Sequence, residues 1–230
     1  MANFSVSPGV VTNELDQSFR SPLPVKVGAA IIGPTVKGPL ELPIIVTSYS
    51  DYKNRFGTSF ISGSDVYSYL TSITAYNYFN NGGDTLLVTR VATGSFTSAT
   101  SSIVANGSTS SSFVLETISE GTIMNSDGVL NTDGTIVNGT SDNIRWEVTN
   151  SNTGSGDFNL VIRRGDDKTL NKVILETFNG VNLDPNSSKY ISKVIGDQAI
   201  SYSSTENQID ITSGTYSNVS RYVRVKSVDA

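Results

Sequence analysis

Three stretches carry residue types at spacings that could do chemistry. The loop Gly33-Pro34-Thr35-Val36-Lys37-Gly38-Pro39 has the glycines and the lysine of a phosphate cradle. It fails on mechanism: Lys37 precedes its glycine, no Ser or Thr follows the lysine, and two prolines remove N–H donors that a phosphate would need. A rigid surface turn is expected instead. The run Asn125-Ser126-Asp127-Gly128-Val129-Leu130 is followed at once by Asn131-Thr132-Asp133-Gly134-Thr135-Ile136, so Asn125, Asp127, Asn131 and Asp133 could offer oxygens to calcium. The repeat lacks the spacing and the final bidentate Glu of an EF-hand, and it does not match the glycine-rich nonapeptide calcium repeat. Asp-Gly is foremost a hairpin signal, and two turns in a β-meander are expected. Finally, Arg163, Arg164, Asp166 and Asp167 crowd around Gly165. A solvated turn with ion pairs of ~0–1 kcal/mol each is the expectation, and an electrostatic contact between subunits the alternative.

Other chemistry is excluded by what the chain lacks. There is no histidine and no cysteine, which removes a Ser-His-Asp triad, imidazole or thiolate zinc ligation, and a disulfide framework. Carboxylates such as Asp166 with Asp167, or Glu176 with Asp184, could serve a hydrolase, but nothing in the sequence sets two of them across a cleft. Trp146 reads as a core or half-buried strand residue, and the triplet Asn138-Gly139-Thr140 has no glycan meaning without secretion. No catalytic, cofactor-binding or metal-binding residue is therefore expected. A net charge of -5 and a pI near 4.7 argue against nucleic acid as a partner. Residues 92–144 hold five acids and no Lys or Arg, as a water-facing segment would. No apolar run approaches the ~20 residues that span a bilayer, and the start MANFSVSPGVV lacks the basic and apolar regions of a signal peptide. A soluble protein made in the cytoplasm, without membrane insertion, is expected.

The elements that would position these residues fall into an α+β arrangement. Residues 1–24 alternate apolar Phe4, Val6, Pro8 and Val10 with Ser5, Ser7 and Gly9, which gives an extended segment with one apolar face. Alternation alone is equally compatible with an arm and with a frayed terminus. Residues 25–91 read as a compact α/β unit. A strand at 25–32, continuously apolar at its end like a buried central strand, is followed by a strand at 43–47. A short helix follows, capped by Ser48 with Asp51 as capping-box partner and stopped by Gly57. A second helix is expected from Ser64, with Asp65 in its first turn and Val66, Leu70, Ile73, Tyr76 and Phe79 on one face. Gly82-Gly83 ends it before a third strand at 85–91, with a right-handed crossover expected. Residues 92–220 read as a β-rich antiparallel domain. Twelve of the 21 residues from 92 to 112 are Ser or Thr, as in a linker or loose loop. Strands are expected at 112–118, 144–149, 158–163 and 172–178, and a helix at 187–195 with Ile191, Val194 and Ile195 on one face. Residues 221–230 form a last strand pattern with no closing element.

Two separated blocks resemble, in order and spacing, the N-terminal portion of contractile tail sheath proteins of tailed bacteriophages. The first comprises AAIIGPTVKGP, IIVTSYSDYKNRFG and YNYFNNGGDTLLVTRV, and the second runs DFNLVIRRGDDKTLNKVILETFNGVNLDPNSSKYISKVIGDQ around a Leu-Asp-Pro-Asn-Ser turn. The resemblance implies a structural subunit and no enzyme. Many copies would stack as a helical sleeve around the tail tube, and its contraction would drive the tube through the host envelope for genome delivery. It implies as partners other copies of the chain, the tail tube protein, and baseplate and tail terminator proteins. Its place would be the virion, with assembly in the host cytoplasm. It tips residues 1–24 toward an inter-subunit arm, with Ser7-Pro8-Gly9-Val10-Val11 matching the family's Ser-Pro-Gly-Val start and Phe4, Val6 and Val10 as the apolar face. The family continues into a C-terminal domain beyond the counterpart of Ala230, so the chain is expected to be part of a longer sheath protein. The competing readings are a stand-alone β-rich adhesin or glycan-binding virion protein, which the α/β unit does not fit, and a carboxylate hydrolase.

Overall fold

The computed structural model describes residues 28–62, 64–105, 110–126 and 128–229. The chain is mixed and strand-rich, with several small antiparallel sheets. The arm residues Phe4, Val6, Ser7, Pro8, Gly9, Val10 and Val11 lie outside the described residues, as does Asp127.

The first unit is a three-stranded sheet with two helices on one face. Strands β1 (Ala29–Gly33) and β5 (Leu86–Arg90) are parallel, and β2 (Pro43–Val46) pairs antiparallel to β5, giving the order β1-β5-β2. The continuously apolar first strand is thus an edge, and the central strand is the third. Because β2 and β5 run antiparallel, the handedness rule for parallel crossovers does not apply to that connection. Helix α1 (Tyr49–Phe56) begins as its sequence dictates: the Ser48 side chain accepts from the Asp51 N–H, and Gly57 ends the helix at φ 73, where a side chain would strain the backbone. The reciprocal half of the capping box is replaced, since Asp51 instead accepts from Arg55 one turn on at 3.0 Å. Tyr52 and Phe56 of α1 pack with Val46, Leu86, Val88 and Ala75 as the core of this unit.

The second helix departs from expectation twice. Residues assigned to its first turn form strand β4 (Asp65–Ser68), which pairs with β3 (Ser59–Ser62) as a hairpin, so helix α2 spans only Leu70–Asn80. Its apolar stripe also faces outward: Leu70 is 79% exposed and Ile73 and Tyr76 are exposed, while Thr71, Ser72 and Ala75 are buried. Small residues allow the helix to sit close on the sheet. A Cβ added at Gly33 would meet the Thr71 methyl at 2.6 Å, and the Thr71 hydroxyl donates to the Pro34 carbonyl.

The second unit joins two antiparallel three-stranded sheets through one core. One sheet has the order β13-β7-β6, from β6 (Ser98–Val104), β7 (Ser111–Glu120) and β13 (Val223–Val228). The other is β10-β9-β8, from β8 (Ile144–Thr149), β9 (Phe158–Arg164) and β10 (Ile174–Val181). Phe113, Leu115, Val223 and Val225 of the first meet Phe158, Leu160, Ile162 and Val181 of the second. Helix α3 (Ile191–Ile195) adds Ile191 and Ile195, both fully buried, to this core. It starts later than expected because Asp184 and Ser187 hold a turn: Asp184 accepts from the Asn186 N–H and Ser187 from the Lys189 N–H. The Ser/Thr-rich stretch after Ala92 is more than a loop, since it contains β6. The last strand pattern does find a partner, because β13 pairs with β7. A hairpin of β11 (Ala199–Ser203) and β12 (Gln208–Ser213) stands apart as a two-stranded sheet.

A polar seam joins the two units. Arg90, buried at the end of β5, donates to the carbonyls of Gly38 and Glu120 at 2.6 and 2.7 Å. Glu120 in turn accepts from the Leu40 N–H. Burial raises the Glu120 carboxyl above its ordinary pKa, against the pull of the Leu40 N–H and Arg90. Lys37 lies in the same seam, where its ammonium donates to the Asp142 carbonyl at 3.1 Å and sits 3.4 Å from the Asp142 carboxylate. The loop expected to be a surface turn is therefore largely buried, with Lys37 only 5% exposed.

Candidate functional site

The residues singled out for chemistry serve the fold. Arg163 and Asp167, expected in a solvated turn, are each 3% exposed and share two hydrogen bonds of 2.8 Å. Asp167 also accepts from Arg145 and from the Val173 N–H, while Arg163 reaches Glu147 at 2.8 Å. Neither is available to another subunit. Only the neighbouring Arg164–Asp166 pair is partly exposed. Glu176 accepts from Ser220 and the Arg221 N–H, and Asp184 holds its own turn, so this carboxylate pair is committed locally. Trp146 is half-buried on β8 and donates to Ser101 at 2.8 Å.

The second Asp-Gly segment is a tight turn, closed by the Asn131 N–H to the Thr135 carbonyl at 2.8 Å and by the bridge of Leu130 to Ile136. Asp133 accepts from the Thr135 hydroxyl at 2.7 Å and the Thr135 N–H at 3.2 Å, and Lys168 lies 3.1 Å away. These bonds hold its carboxyl down at about 2. Among the described residues, no three acidic side chains gather to hold a metal ion. A carboxylate whose pKa is depressed in the folded state stabilises above its unfolded value of about 3.9, and that contribution is lost as pH falls toward 2. The carboxyl carbon of Asp133, followed by NMR, should titrate near pH 2 in the native protein. A midpoint near 4 would mean that the turn does not grip it.

What the first unit does present is uncovered apolar surface on two sides. The register across β1-β5-β2 aligns Ile31, Val88 and Ile44 in one row and Ala29, Leu86 and Val46 in another. Both rows face the helices. The alternate rows, Ala30–Leu87–Ile45 and Ile32–Thr89–Pro43, face away from them, and Ile32 is 72% exposed. On the helix side, Leu70, Ile73 and Tyr76 of α2 lie exposed, as do Ile61, Val66 and Tyr67 of the β3–β4 hairpin. Contiguous exposed apolar surface of this kind marks interaction faces. The sequence signal for the sheet face was present: a strand apolar at every position has two faces suited to cover, and only one is covered by described residues. The seam through Arg90, Lys37 and Asp142 had no such signal, because its partners lie 30 to 105 residues apart.

Among the described residues, no helix is long and apolar enough to cross a membrane. A scan against protein-family models and a search of curated proteins both return no match for this chain.

Proposed function

We propose that the chain is a structural subunit of the helical contractile sheath around a bacteriophage tail tube, and that it has no catalytic activity. The observation that carries this reading is the doubly open α/β unit of residues 29–91. It bears apolar surface on its free sheet face and on its outer helix face, within the block that resembles sheath proteins. A subunit packed on several sides by copies of itself needs such surfaces, whereas a free monomer gains nothing from Ile32 or Leu70 in water. The partners in this reading are neighbouring copies, with the tube, baseplate and terminator proteins at the inner face and ends, and residues 4–11 serve as the inter-subunit arm.

Immunogold labelling tests it. Antibodies raised against the chain, applied to virions from cells that carry its gene, should decorate contractile tails along their whole length. Labelling confined to fibre tips would overturn the sheath in favour of an adhesin.

A further inference from the structure

A half-open cavity of about 310 Å³ lies in the second unit between β6, β7 and β8, and the segment after the single 3-10 turn at Thr122–Met124 forms its outer wall. Met124 and Ile136, 5% and 6% exposed, line it but belong to neither hydrophobic core. They are buried against the cavity instead of against a packed neighbour cluster. Leu115, Ile144 and the Trp146 indole complete the apolar wall, and half-exposed Leu130 stands at the mouth.

The polar groups of the lining are already engaged. The two Glu116 oxygens accept from Lys226, at 2.9 Å, and from Arg224. Arg145 donates to the Gly134 carbonyl at 3.0 Å and to Asp167. The Thr117 hydroxyl accepts from the Ala99 N–H and donates to the Ser119 carbonyl, while Ser101 accepts from Trp146. An entering molecule would therefore meet hydrocarbon and aromatic surface and few uncommitted hydrogen-bonding groups. The volume is at the lower end of pockets that take small organic ligands, and an apolar void of this kind is filled more favourably by an apolar guest than by water.

We infer that this cavity is a binding site for a small apolar molecule, alkyl or monocyclic aromatic, and that the site is independent of the sheath reading. Trp146 is the only tryptophan in the chain, so its fluorescence reports the wall directly. Iodobenzene is a suitable probe, since its heavy atom quenches an indole that it touches. Titrated into the full chain, it should quench Trp146 saturably and raise the melting temperature, as a ligand of the native state must. Leu130→Lys, which puts a charge at the exposed mouth without touching the core, should weaken that binding by about tenfold or more. Quenching that rises linearly without saturating would overturn the site. So would saturable quenching that Leu130→Lys leaves unchanged, because the probe would then be bound elsewhere.

Discussion

Asp167→Ala should cost about 3–5 kcal/mol of stability, whereas Asp166→Ala, one residue away, should cost ~0–1 kcal/mol. Asp167 is the centre of a buried network: it takes two bonds from Arg163, one from Arg145 and one from the Val173 N–H. Removing it leaves the Arg163 guanidinium 3% exposed with Glu147 as its remaining carboxylate, and leaves the Val173 N–H without that acceptor. The penalty is that of an uncompensated buried charge, which exceeds the net worth of the intact pair. Asp166 pairs with Arg164 where water can replace it. Urea midpoints of the two variants, converted through a common slope, give the comparison. Equal losses would show that the network is no more buried in solution than the turn beside it.

Sequence patterns fix which side chains share a face more securely than which face turns inward. Ser48 and Gly57 bound α1 in both readings, because capping is a local matter of one side chain and one φ angle. Strand β8 matches its expected bounds for a similar reason, since turn residues flank it closely. For α2, the helical spacing of Leu70, Ile73 and Tyr76 is real, yet the close approach between Gly33 and Thr71 selects the opposite, small-residue face for packing. The stretch Asp65–Ser68 carries both a helix-start signal and strand-forming residues, and pairing with Ser59–Ser62 decides it. The β11–β12 hairpin was legible from Ile200 and Tyr202 opposite Ile209 and Ile211, which alternate at period two about the turn at Asn207, φ 53. The candidate interaction faces were half legible. Composition shows that residues 29–32 are apolar on both sides, but only the register across three strands shows which side chains remain uncovered.

The seam supplies the second large effect. Asp142→Ala should destabilise the chain by about 3 kcal/mol, near the lower end for breaking a buried pair, because the Asp142 carbonyl still accepts from Lys37. Burial already holds the Lys37 ammonium below its ordinary pKa, with Asp142 pulling it back up. Without the carboxylate, the charge stays in the seam against desolvation alone. Lys37→Met on the same background should recover most of the loss, since an apolar side chain of similar length fills the space beside Phe56 and Gly57 without needing a counter-charge. The recovery matters more than the loss, because it separates a stranded charge from simple loss of packing at Asp142. Denaturation of the wild type, both single variants and the double variant completes the cycle. Additive losses in the double variant would mean that Lys37 and Asp142 do not interact, and that the two units are held together by Arg90 and Glu120 without them.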